Sequence, residues 1–292
     1  MKFARISAAG IAAVAALGLA ACGSGTPGGS NAGARGAGGG TAASTGGAGG
    51  GSGQSVKVGI KFDQPGLGLK SGSTYEGMDV DVANYVAKEL NFTPEFVEAV
   101  SSQRETLISS GQVKYIVGTY SISDARKEKV SFAGPYFIAG QDLLVRADDS
   151  SITGPDTLTG KKLCSVKGST SASNLQTKYP GINLQEYNTY TLCVDALKAK
   201  SVDALTTDNT ILAGYAAQAA NKGKLKVVGK TFSTENYGVG LKKGDTAFCT
   251  QVTDALKKYI SSGEWQKSVD KWLGPAGFKP GAGNPPTPAA CS

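Results

Sequence analysis

Tyr115-Ile116-Val117-Gly118-Thr119-Tyr120-Ser121-Ile122-Ser123-Asp124-Ala125-Arg126-Lys127 carries the chain from a strand into a helix. Residues 115–117 are apolar and read as a short buried strand. Ser123 is a favoured N-cap residue, and the helix it opens has Arg126 as its third residue. Thr119 and Ser121 stand at the strand's end, just before that helix. A guanidinium offers two parallel donors that match a carboxylate. The unpaired N–H groups of a helix's first turn also favour an anion. Read alone, Arg126 within Arg126-Lys127-Glu128-Lys129 is more simply one more surface charge.

The same alternation extends in both directions. Strands are expected at 56–60, 92–97, 141–146, 163–166, 204–206, 225–228 and 237–241. Between them Asp81 can cap a helix that places Val82, Tyr85, Val86 and Leu90 on one face. Ser101 or Ser102 opens another, carrying Leu107 and Ile108 and stopping at Gly111. Further helices are expected at 189–199, 209–219 and 245–261, and Gly168-Ser169-Thr170 also precedes a helix. Alternating strands and helices imply an α/β protein with mostly parallel strands. The acidic residues Asp79, Asp81 and Asp208 flank helix starts and read locally as caps.

The N-terminal part has a different character. Lys2 and Arg5 precede an apolar run from residue 6 to 19, then Leu19-Ala20-Ala21-Cys22. A basic start, an apolar core and small residues before a cut describe a secretory signal peptide at 1–21. The run is shorter than the roughly 20 residues of a membrane span. Cys22 resembles the lipidated cysteine of bacterial lipoproteins, which implies a membrane anchor. Residues 22–54 are almost only Gly, Ala, Ser and Thr and read as a flexible linker with an r.m.s. span of roughly 30 Å. The stretch 274–292 is rich in Pro and Gly but contains Cys291.

Composition removes several function classes. The chain has no histidine, which excludes Ser-His-Asp and Cys-His catalysis and histidine-ligated zinc. Residues 154–162 have one residue too many for a phosphate loop, and Gly66-Leu67-Gly68 lacks the third glycine of a dinucleotide fingerprint. No cofactor or metal is expected. The formal charge is +7, without a basic block or interleaved aromatics, so no nucleic-acid partner is expected. A mild positive balance suits an anionic small ligand. Beyond Cys22, four cysteines remain, with three possible pairings in an exported protein. Cys164–Cys193 and Cys249–Cys291 are the expected pairs, because each falls within one sequence block.

Several segments carry a resemblance. Tyr75-Glu76-Gly77-Met78-Asp79-Val80-Asp81-Val82-Ala83 is similar to the "GFDVDLA" segment of the polar amino-acid-binding proteins of bacterial ABC importers. Arg104-Glu105-Thr106-Leu107-Ile108-Ser109-Ser110-Gly111 resembles that family's next helix. Ser121 to Phe132, followed by Pro135-Tyr136, resembles its most specific signature; Val202-Asp203-Ala204 and Trp272-Leu273-Gly274 match further markers. Through Gly59-Ile60-Lys61-Phe62-Asp63-Gln64-Pro65-Gly66 the chain looks most like the glutamate-type members of actinobacteria. Met78 replaces an aromatic of the pattern and Lys114 an aspartate.

The resemblance implies a two-lobed periplasmic-binding-protein type II fold with two crossover strands. One lobe would comprise 55–139 and 238–292, the other 140–237, with crossings near Gly140 and Tyr237. It implies that Arg126 grips a ligand α-carboxylate, aided by Thr119, Ser121 and the Gly168-Ser169-Thr170 turn. Asp208 would meet the ligand ammonium, and Lys61 and Arg104 a side-chain carboxylate. Three cations converging on one cleft suit glutamate or aspartate better than glutamine or asparagine, since a buried carboxylate needs charged partners. The expected protein is a lipid-anchored receptor on the outer face of the cell membrane. It would deliver its ligand to an ABC permease and that permease's ATPase. Alternatives are an amide-binding receptor, a sensor presenting its ligand to a membrane kinase, and an enzyme of the same fold.

Overall fold

The computed structural model describes residues 53–292. The leader expected at 1–21, Cys22, and all but the last two residues of the linker expected at 22–54 lie outside them.

In chain order the elements begin with β1 (Gln54–Ile60), β2 (Asp63–Gln64), β3 (Gly68–Ser71), β4 (Thr74–Glu76), α1 (Met78–Glu89) and β5 (Phe92–Glu98). A 3-10 turn at Ser101–Gln103 leads into α2 (Arg104–Ser109), β6 (Tyr115–Ile116), α3 (Asp124–Lys127) and the long β7 (Val130–Ala139). Then come β8 (Gln141–Arg146), β9 (Lys162–Val166), α4 (Thr170–Lys178), β10 (Asn183–Tyr187), α5 (Tyr190–Lys198), β11 (Ala204–Asp208), α6 (Asn209–Ala217) and β12 (Leu225–Val227). Finally β13 (Glu235–Lys242) is followed by α7 (Thr246–Ser261) and α8 (Glu264–Trp272).

Two five-stranded sheets form the two lobes, ordered β5-β1-β6-β13-β7 and β10-β9-β11-β8-β12. A small sheet, β2-β3-β4, lies beside the first. The expectation of mostly parallel strands is corrected. β1 runs parallel to β5 and β6, and β9 parallel to β10 and β11, but β7, β8, β12 and β13 all enter antiparallel pairs. The cause is the pair β7 and β13, which carries the chain out of the first sheet and back into it. Two strands doing that must point in opposite directions, and they pair from Val130↔Lys242 to Glu235↔Ala139. Apolar alternation does not signal β7 because Pro135 interrupts it.

Helices cover the sheets with apolar faces at helical spacing. On α7, Phe248, Val252 and Leu256 recur every fourth residue and are buried, each such side chain contributing roughly 1.5–3 kcal/mol. Asp245 Oδ1 accepts the Phe248 N–H at 3.2 Å and caps that helix. Helix α1 starts earlier than expected, and neither Asp79 nor Asp81 caps it. Gly77 precedes it with φ of 122°, and the Met78 and Asp79 N–H groups donate to Gly66 and Leu67 carbonyls at 3.0 and 2.9 Å. Main-chain acceptors thus satisfy the first turn. Asp81 is free to accept from Ser268 Oγ and Trp272 Nε1, both at 2.7 Å, which ties α1 to α8.

The Pro- and Gly-rich tail is docked along β7. Phe132 N–H donates to Ser292 O at 2.7 Å, Ala289 N–H to Gly134 O at 2.8 Å, and the Asn284 side chain pairs with both the N–H and C=O of Ile138. The cysteines pair as expected, Cys164–Cys193 with Cα atoms 5.6 Å apart and Cys249–Cys291 at 5.9 Å. The second pair fixes the tail to α7. Among the described residues no helix is long and apolar enough to cross a membrane.

Replacing both Cys249 and Cys291 by alanine opens a loop of sequence separation 42. The loop-entropy relation gives a loss of about 4 kcal/mol, measured as a lower denaturant midpoint with a slope that rises as the unfolded chain loses its cross-link.

Candidate functional site at the lobe junction

The connection from β6 to α3, Gly118 to Ser121, is the scaffold of the site. Its carbonyls hold two arginines: Arg104 Nη1 donates to Gly118 O at 3.0 Å and Arg126 Nη1 to Ser121 O at 2.8 Å. The Tyr120 ring lies under both guanidinium groups, 4.1 Å from that of Arg104 and 4.9 Å from that of Arg126. Such contacts are attractive when desolvated. Lys61 leaves the end of β1 beside Gly118 and donates to Ser101 Oγ at 3.3 Å. Lys61 and Arg104 are only 1% and 2% exposed.

Thr119 occupies the left-handed region, with φ of 44°. For a β-branched residue this costs roughly 1–2 kcal/mol, so the surroundings must enforce it. Its N–H donates to Asp79 Oδ2 at 2.9 Å, and its hydroxyl pairs with the Gln64 amide at 3.1–3.2 Å. Asp79 also accepts from Tyr136 OH at 2.7 Å.

The second lobe meets this scaffold directly. Arg126 Nη2 donates to Gly168 O at 3.1 Å, and Ser121 Oγ lies 3.0 Å from Thr170 Oγ1. Gly168, with φ of 77°, sits so near Ser102 that a Cβ would come 2.7 Å from its Cα. Ser169 is buried, and its hydroxyl accepts the Ala172 N–H at 3.0 Å, capping α4. Asp63 of β2 accepts the Tyr190 N–H at the start of α5 at 2.7 Å, and Tyr215 OH donates to the Asp63 carbonyl.

Asp208 closes the group from the end of β11. Its backbone stands at the N-cap of α6, but its side chain makes no capping bond, so its local reading as a cap is corrected. Oδ2 accepts from Tyr237 OH at 2.7 Å, while Oδ1 is buried without a partner. Ser123 likewise holds the N-cap position of α3 without a side-chain capping bond. The carboxylates are held by paired tyrosines of the crossing strands: Tyr136 for Asp79 and Tyr237 for Asp208, with ring centroids 6.0 Å apart.

Burial dominates the electrostatics. It lowers Lys61 to about 8, with Arg104 pressing the same way. It lowers Arg126 to about 10, again with help from Arg104. It raises Asp79 to about 6 against its hydrogen bonds, and Asp208 to about 7, assisted by Glu235. At neutral pH Lys61 and Arg126 remain cationic while Asp208 is only partly ionised. Glu105 partly offsets Arg126, with its Oε1 3.5 Å from Nε. Arg104 Nε, Tyr120 OH, Thr207 Oγ1 and Asp208 Oδ1 are buried without hydrogen-bond partners. Each costs about 1–3 kcal/mol unless satisfied. The arrangement offers spare donors beside excess positive charge, and a spare carboxylate oxygen.

Lys61, Arg104, Thr119, Ser121 and Arg126 therefore gather around one turn, and Thr170 and Ser169 approach it from the other lobe. Asp208 stands within the electrostatic reach of Arg126 and Arg104. Residue-by-residue reasoning missed Tyr120, Gln64 and Asp79. Tyr120 lay in plain view between Thr119 and Ser121, but nothing in the sequence indicates that two cations share its face. Among the described residues no group of three or more Cys, Asp or Glu side chains is placed to hold a metal.

Two α/β lobes joined by an antiparallel crossing pair, with charged groups gathered at their junction, define a type II periplasmic-binding-protein fold. The chain belongs to the bacterial extracellular solute-binding proteins, family 3, whose model matches residues 56–275. It is 46% identical to the glutamate-binding protein GluB of Corynebacterium glutamicum, covering 75% of this chain and 79% of that one. It is 36% identical to the ABC transporter glutamine-binding protein GlnH of Bacillus subtilis, covering 75% and 81%. Among solved structures, an ancestral arginine-binding protein bound to glutamine superposes with a TM-score of 0.71 at 31% identity, covering 75% of this chain and 98% of that one.

Because burial raises the Asp208 pKa from 3.8 to about 7, the folded state holds a proton that the unfolded state releases. Its contribution to stability therefore falls as pH rises from about 4 to about 7. Compared with the parent in denaturant titrations without ligand, Asp208→Asn gains relative stability across that window and levels off above it.

Proposed function

We propose that this chain is a lipid-anchored receptor on the outer face of the cell membrane that captures glutamate or aspartate between its lobes. It then delivers the amino acid to an ABC permease and its ATPase. Processing after residue 21 would expose Cys22 for lipidation, with 22–54 as tether. The lobes would be 55–139 with 238–292, and 140–237.

In this reading the remaining N–H donors of Arg126 take the α-carboxylate, together with Thr119, Ser121 and the Ser169-Thr170 amides. Asp208 Oδ1 takes the ammonium. The observation that carries the acidic ligand is the nearly complete burial of Lys61 and Arg104. One is held by a single 3.3 Å bond, and the other has an unpaired Nε. Two desolvated cations beyond Arg126 are compensated by a second carboxylate on the ligand. The GluB relative at 46% identity supports the same choice. A glutamine or asparagine ligand is the second reading, supported by the glutamine-binding relative at 36% identity. The lobes bring partners to opposite sides of one small molecule, an arrangement that suits capture by closure.

Isothermal titration with glutamate, aspartate, glutamine and asparagine tests the reading. Glutamate or aspartate is expected to bind near micromolar, about −8 kcal/mol. Arg104→Ala is expected to weaken the acidic ligands about 100-fold, because it leaves a buried carboxylate short of a partner, and the amides much less. Amides binding as tightly as acids would remove the charge assignment. Failure of all four would remove the reading itself.

A further inference from the structure

Asp79 touches none of the three cations, yet it is 0% exposed and its carboxylate is committed on both oxygens. One oxygen takes the N–H of Thr119, the residue at the centre of the site turn and at an unfavourable φ of 44°. The other takes the hydroxyl of Tyr136 on β7. Residues on either side of Thr119 hold the two arginines: Gly118 O accepts from Arg104 and Ser121 O from Arg126, while Tyr120 lies beneath both. If residue 119 left the left-handed region, these carbonyls and the ring would swing, and the spacing of the guanidinium groups with them. A threonine does not hold that backbone conformation unaided. The two side-chain bonds to residue 119 come from Gln64, at its hydroxyl, and Asp79, at its N–H. The Asp79 bond acts on the backbone directly.

We infer that Asp79 is a positioning residue: it acts as the acceptor that holds Thr119 in the left-handed conformation, and so sets the spacing of Arg104 and Arg126 for a ligand it never touches. The inference rests on the ligand reading above. Losing the acceptor lowers the fraction of molecules with a competent turn, and apparent affinity falls with that fraction. A residue that only stabilised the lobe would not depend on what side chain stands at 119. Glycine adopts positive φ without cost. Thr119→Gly should therefore make the site indifferent to Asp79, although it loses the threonine hydroxyl itself.

The test is a double-mutant cycle read by isothermal titration with whichever of the four amino acids the parent binds. Asp79→Ala in the Thr119 background is expected to weaken binding about tenfold or more. In the Thr119→Gly background the same change should cost less than about threefold. Asp79→Asn keeps an acceptor for the Thr119 N–H and should stay within about threefold of the parent. Circular dichroism confirms that each variant is folded. If Asp79→Ala cannot be purified, Asp79→Ser, too short to reach that N–H, takes its place in both backgrounds. Equal losses in the two backgrounds overturn the inference, as does an Asp79→Asn loss matching that of Asp79→Ala, or no loss at all. A parent that binds none of the four overturns the ligand reading and this inference together. A parent that binds, with variants that behave alike, overturns this inference alone.

Discussion

Three basic side chains with almost no access to water stand at the contact between two lobes, and every other feature of the junction answers to that. Removing an ion from water costs several kcal/mol unless other groups replace its hydration. Here the replacements are backbone carbonyls, an aromatic face and carboxylates. The carbonyls of Gly118, Ser121 and Gly168 take guanidinium donors, and Tyr120 offers its ring. One of these carbonyls belongs to the opposite lobe, so the solvation of Arg126 is completed only when the lobes meet. That requirement reaches back to single residues. Gly168 has no side chain because Ser102 occupies the space where one would go. Gly214 faces the carbonyl of Pro65 for the same reason.

The crossing strands do more than connect. β7 and β13 lie side by side, and their tyrosines at 136 and 237 point to one buried carboxylate in each lobe. Covalent passage and polar support thus run through the same pair of strands. The tail stiffens the outer edge of that pair, covering backbone groups of β7 that an edge strand would leave open. The register shift between Tyr237 and Val239 falls within the part of β13 that leads from one lobe to the other, beside Gly238.

Much of this was legible in the sequence, and the rest was hidden for identifiable reasons. Apolar runs located most strands and helices because a two-layer α/β core demands such runs wherever an element is buried. The cysteine pairing followed from chain proximity. β7 was hidden because Pro135 breaks its pattern, although a partner strand and the tail supply its bonds. Asp79 and Asp208 were misjudged for a different reason. Cap preference is a local statistic, whereas the groups that hold these carboxylates come from 57 and 29 residues away. The clustering of Lys61, Arg104 and Arg126 was accessible only through the resemblance, since nothing local ties position 61 to position 104. Their burial and the shared Tyr120 face belong to the folded structure alone.

Helix α8 places the chain's two tryptophans in very different settings. Trp265 is buried, stacks on Phe137 at 5.8 Å, and donates its indole N–H to the Tyr136 carbonyl on the crossing strand. Trp272, two turns on, is partly exposed and bonded to Asp81 beneath the Lys271 ammonium. The molecule therefore contains a matched pair of ultraviolet chromophores. One is bonded to a crossing strand, the other to helix α1. Intrinsic emission thus has one source beside the crossing strands and a second on the α1–α8 contact, with no label attached.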